Sequence, residues 1–198
     1  MYTSIITIFL SAVFLTSNAQ QVKVSTILVD SSFDNASLLK LEEATRLLEN
    51  VFNSEAFAQS VLSEKFSVGH YNLSSEEILE IIRSGMDNYK NAEKDYSIDL
   101  RLTIYDSYKG GKEYGNTAMI SRITSTHRCY ILYNDVTCYA SHLAHEYMHE
   151  IGFFDVKSWV GLRRTKINSV PYKIGRIVSG LINQANSCPY RSSTCKKE

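Results

Sequence analysis

The chain is expected to be an α+β protein with a mixed sheet, on three observations. Short β-branched runs and amphipathic helical repeats both occur, two helical repeats come early, and several strand-like runs then follow one another in the middle of the chain. With 198 residues, 44% of them apolar, and no repeat, linker or low-complexity run, a single domain spanning 20–198 is expected.

"MYTSIITIFLSAVFLTSNAQ" has an apolar run from Ile5 to Leu15, then Ser17 and Ala19 at small-x-small positions, and reads as a signal peptide over 1–19 cut after Ala19. The run is short for a bilayer span, so a secreted or periplasmic protein with no stable membrane insertion after cleavage is expected; its start has no Lys or Arg, and an uncleaved anchor is the alternative. "VKVSTILV" predicts a strand, and Asp34 or Asn35 can cap the next element. Leu38, Leu41, Ala44, Leu48 and Val51 recur at helical spacing and predict a helix over 36–52.

Ser74 and Glu77 have capping-box spacing and open a second helix, with Ile78, Ile81 and Ile82 on its buried face. "IDLRLTI", residues 98–104, alternates apolar and polar side chains as a half-buried strand does. Gly110 and Gly111 mark a turn, after which "NTAMISRIT" and "CYILY" read as two further strands. A histidine-rich helix follows, then a final helix over about 172–184, with Ile174, Ile177, Val178 and Leu181 on one side.

Export favours disulfides for the four cysteines. Of three possible pairings the local ones, Cys129–Cys138 and Cys188–Cys195, are expected, and the absence of any C-x-x-C argues against a thiolate metal site. Formal net charge is zero, yet residues 156–198 hold nine basic side chains and one acidic, and the rest of the chain carries the acidic excess. Attraction between these halves is one consequence, an acidic partner another; no interleaving of basic and aromatic residues suggests nucleic acid. Asn35 and Asn72 begin N-x-S sequons.

The chemistry concentrates in "HLAHEYMHEIGFFD", residues 142–155. His145, Glu146 and His149 form H-E-x-x-H, which on a helix brings both imidazoles to one face and sets a carboxylate beside them. Neutral imidazole is a good ligand for Zn2+, a zinc-held water ionises near neutral pH, and Glu146 can take its proton as general base. A third ligand is reached by elimination. No histidine follows His149, and beyond Glu150 the only carboxylates are Asp155 and the terminal Glu198. Glu150 points about 100° away from His149 around the helix, which leaves Asp155. Gly152 can adopt positive φ and turn the chain back so that Asp155 faces the ion. His142, one turn before His145, would crowd the ion and is assigned a supporting or solvent role. His70 and His127 have no partners nearby in sequence and are expected at the surface. Phe153 and Phe154 line the cleft or pack under the turn.

"HEYMHEIGFFD" resembles the metzincin zinc proteases, H-E-x-x-H-x-x-G-x-x-H/D, in the form with aspartate as third ligand, similar to the small secreted snapalysin-type peptidases. The resemblance spans eleven residues and the order of elements. It implies a zincin-like fold, zinc held by His145, His149 and Asp155, Glu146 as general base, and peptide or protein substrates. Metzincins also have a methionine turn beneath the zinc; here "SVPY", Ser169 to Tyr172, is its counterpart, with Pro171 in the methionine's place. Tyr172 is a candidate to contact the metal or an oxyanion, with a packed core tyrosine as the alternative. Residues 116–124 are the candidate edge for pairing with an extended substrate. The functional expectation is a secreted metalloendopeptidase. A zinc amidase acting on a cell-wall linkage and a zincin-shaped binding protein without turnover are the alternatives.

Overall fold

The computed structural model describes residues 20–66, 71–86, 93–106, 115–118, 121–155 and 168–182. The expected signal peptide, His70, the Gly110–Gly111 turn, Cys188 and Cys195 lie outside these, as does most of the basic tail. The described part is α+β: a mixed four-stranded sheet and six helices.

Strand β1, Lys23–Leu28, and helix α1, Asn35–Phe52, match the predicted pair, and Asp34 supplies the cap by accepting from Ser37 N at 2.8 Å. Helix α2, Glu55–Leu62, was not foreseen. It is a short helix that buries Phe57, Ala58 and Val61, with Ser54 as its cap. Helix α3, Ser75–Arg83, starts with both halves of the predicted capping box and buries Ile78, Ile81 and Ile82. Strand β2, Ser97–Tyr105, alternates as expected: Ile98, Leu100, Leu102 and Ile104 face inward, while Asp99 and Arg101 face solvent.

"NTAMISRIT" is not one strand. It spans strand β3, Gly115–Ala118, the turn with Arg122 at φ +53°, and the start of strand β4, Ile123–His127. Arg122 N bonds back to Ala118 O at 2.7 Å and closes that turn. "CYILY" is not a strand either: Arg128–Tyr133 is helix α4. His127 ends β4 and caps α4, its Nδ1 accepting from Cys129 N at 3.1 Å. Lys40 from α1 donates to the carbonyls of Ile131 and Leu132 at the other end. Long-range contacts of this kind override the β propensity of a five-residue run. His127 is accordingly a half-buried capping residue, edge-on to Tyr105, rather than a free surface histidine.

Helix α5, Val136–Glu150, carries the histidines, and helix α6, Val170–Ile182, is the last described. The sheet order is β1-β2-β4-β3; the first three strands are parallel and β3 runs antiparallel to β4 as an edge. The other edge is partly closed by α1: Asn53 bonds Val22 N and O, and Glu49 accepts from Val24 N, which blunts an open strand. The inner face of the sheet meets α1 and α5, and α6 lies against α5. The buried apolar side chains form one contiguous cluster with Leu48, Phe52, Leu102, Leu143 and Phe153 fully enclosed. Each such side chain contributes about 2 kcal/mol of burial. Among the described residues no helix is long and apolar enough to cross a membrane. Cys129 and Cys138 are both disulfide-bonded, and none of the described cysteines is free.

Candidate metal centre

Helix α5 begins at Asp135, whose carboxylate accepts from Thr137 N at 2.8 Å, and ends in a Schellman turn. Gly152 N bonds His149 O at 3.1 Å and Phe153 N bonds Met148 O at 2.9 Å, with Gly152 at φ +106°. Phe153 is buried beneath the turn and Phe154 is exposed. The reversal anticipated from Gly152 is therefore present, and it returns Asp155 to the histidines.

Three ligand atoms converge. His145 Nε2 and His149 Nε2 are 3.2 Å apart, and Asp155 Oδ2 is 3.8 Å from each. A point equidistant from all three lies about 2.1 Å from each, the bond length of an imidazole nitrogen or carboxylate oxygen to a small divalent cation. The hydrogen bonds orient the donors. His149 Nδ1 is 2.8 Å from Phe153 O, and a carbonyl only accepts, so Nδ1 carries the proton and Nε2 presents a lone pair to the site. That lone pair lies 3.2 Å from His145 Nε2, a separation that a cation ligated by both nitrogens can bridge. Asp155 Oδ1 accepts from Ser169 Oγ at 2.7 Å, which leaves Oδ2 toward the imidazoles. His145, His149 and Asp155 could hold a metal ion, and their donor set fits one.

Helix α6 closes the site from the side. Ser141 Oγ donates to Gly175 O at 2.8 Å, tying α6 to α5, and Tyr172 places its ring edge-on to His145, with centroids 4.7 Å apart. Pro171 is buried in the first turn of α6, where its missing N–H leaves no helix bond unmade.

Glu146 faces the sheet. Its Oε2 accepts from Thr117 Oγ1 at 2.7 Å and its Oε1 lies 3.6 Å from His142 Nδ1, and only 4% of the residue is exposed. His142, Glu146 and Glu150 recur every four residues along α5 and form one buried polar seam against β3 and β4. Thr124 Oγ1 bonds Glu150 Oε1 at 2.8 Å, Thr117 Oγ1 and Thr124 Oγ1 are 2.7 Å apart, and Thr126 Oγ1 is 3.3 Å from His142 Nε2. His142 lies beside Glu146, the supporting one of the two roles expected for it, and Glu150 is joined to Glu146 through Thr124 and Thr117. Burial holds the His142 imidazole below its ordinary value, with the Glu146 carboxylate opposing and His149 reinforcing that shift. Thr117, Thr124, Thr126 and Ser169 carry no motif; only the inward phase of their strands, or a place in "SVPY", marks them in sequence.

Compared with protein-family models, with curated proteins and with solved structures, the chain matches none.

Proposed function

We propose that the protein is an exported zinc-dependent peptidase of zincin-like form. The observation that carries this reading is the convergence of His145 Nε2, His149 Nε2 and Asp155 Oδ2 on one point, with Glu146 on the next position of the same helix. Two imidazoles and one carboxylate are the donor set of catalytic zinc sites, which leave a fourth position open. Zinc held there polarises a scissile carbonyl and acidifies water.

The remaining work falls to the chain's own groups. Glu146 takes a proton from the attacking water and returns it to the leaving amine, so the peptide bond is exchanged for a carboxylate and an amine. Among the described residues strand β3 is the sheet edge packed against α5, and an extended peptide adding to that edge would lie alongside Glu146. Tyr172 packs edge-on against the His145 ring, and its hydroxyl is the candidate donor to a developing oxyanion. The oxidised state of Cys129 and Cys138 suits an exported protein.

The test is metal analysis of gently purified protein, then cleavage of casein or a peptide library by wild type and Glu146→Ala. We expect about one zinc per chain in both and cleavage only by wild type. A protein without zinc, or a Glu146→Ala variant that cleaves normally, would overturn the reading.

A further inference from the structure

We infer that Thr117, on the edge strand, is a positioning residue for Glu146: its hydroxyl holds one carboxylate oxygen so that the other remains aligned for proton transfer. This rests on the peptidase reading above. The inference begins with the phase of β3. Gly115 and Thr117 face α5, while Asn116 and Ala118 face solvent. A Cβ on Gly115 would sit 2.6 Å from His142 Nε2 and 2.7 Å from Ser125 O. Only glycine lets the strand lie this close to the helix, and that approach brings the next inward residue, Thr117, to 2.7 Å from Glu146 Oε2.

The hydroxyl is itself held. Thr117 pairs with Thr124 across the antiparallel ladder, their Oγ1 atoms are 2.7 Å apart, and Thr124 continues to Glu150 Oε1 at 2.8 Å. A glutamate has three side-chain torsions to restrain, and a base that must be found in one orientation loses rate when they are free. His142 alone does not fix Glu146, since its Nδ1 is 3.6 Å away, beyond a good hydrogen bond. Thr117 supplies the one short side-chain hydrogen bond shown to this carboxylate among the described residues. It also sits on the strand that an extended substrate would join, so substrate pairing and the alignment of the base share one element.

The discriminating variants are Thr117→Val, which keeps the shape and removes the hydroxyl, and Thr117→Ser, which keeps the hydroxyl. Thr117→Val is expected to lower kcat by about 10- to 100-fold with KM and zinc content unchanged, and Thr117→Ser to recover most of the loss. In the chelator-treated protein, a double-mutant cycle of Thr117→Val with Glu146→Gln should give non-additive urea midpoints. Wild-type kcat in Thr117→Val, an equal loss in Thr117→Ser, loss of zinc, or an additive cycle would each overturn the inference. Glu146→Ala, run alongside, separates the two claims. If it is inactive while Thr117→Val is normal, only the positioning role fails; if it is active, the peptidase reading fails.

Discussion

Ser169 donates a 2.7 Å hydrogen bond to Asp155 Oδ1, and the other oxygen of that carboxylate faces both His145 and His149. Ser169 is fully buried at the start of α6, so the last helix orients a ligand supplied by the turn after α5. Ser169→Ala should remove one restraint on Asp155 and weaken metal binding by about 10- to 100-fold, and Asp155→Ala should weaken it further still. Competition with a chromophoric chelator measures both. A Ser169→Ala variant with wild-type affinity would show that Asp155 is held by the turn alone.

Much of this site was legible because its signals are local. His145, His149, Gly152 and Asp155 lie within one helix end and one turn, where spacing alone predicts direction. The same holds for α1, α3 and β2, whose apolar periods survive intact in the fold. What escaped notice depends on contacts distant in sequence. Run 129–133 has strand composition but is helical because Lys40, 91 positions before Ile131, satisfies its far end, while His127 caps the near end locally. His142, expected in a supporting or solvent role, and Glu150, set aside as a ligand, are both buried because Thr126 and Thr124, brought over them by the sheet, meet their polar atoms. Such partners carry no spacing signal, since the register that delivers them is set by the whole β3–β4 hairpin.

The threonine pair makes a specific demand on Glu150. Thr117 and Thr124 link Glu146 to Glu150, and at the far end Thr124 Oγ1 donates to Glu150 Oε1. Glu150→Gln keeps a carbonyl oxygen that can accept from Thr124 and should fold with near wild-type stability. Glu150→Ala leaves Thr124 without that partner in a buried place and should cost about 1–3 kcal/mol. Urea denaturation decides. Equal destabilisation by the two variants would mean that Glu150 acts through its charge instead.

Buried His142 predicts the sign of an acid effect. Its folded-state pKa lies below the unfolded value, so the unfolded chain takes up the proton first as pH falls. The stability tied to this group is complete above about pH 6.5 and is lost progressively below it, until the folded form also protonates. Between pH 7.5 and 5.5 the wild type should lose up to about 1 kcal/mol more stability than His142→Gln, compared in chelator so that metal release does not contribute. Tyr130, Tyr139, Thr126 and Glu146 surround the ring, and only Glu146 brings a negative charge to offset the effect. A wild type that loses no more than His142→Gln would show that Glu146 compensates fully.

Gly152 offers the sharpest separation of turn geometry from ligand chemistry, because it supplies no ligand atom. Its φ of +106° is available to glycine and disfavoured for alanine, and Tyr71 Oη donates to its carbonyl at 2.9 Å, which leaves the turn little room to relax. Gly152→Ala should therefore destabilise the protein by about 1–2 kcal/mol. It should also weaken metal binding, because the same turn carries the Phe153 carbonyl that fixes His149 and the backbone that presents Asp155. Gly180, exposed on α6 with open space where a Cβ would go, is the control: Gly180→Ala should stabilise by up to about 1 kcal/mol through helix propensity and leave metal affinity unchanged. Thermal melts and chelator competition on the two variants give four readings. A Gly152→Ala variant that lost stability but kept full affinity would mean that Asp155 reaches the histidines independently of the turn.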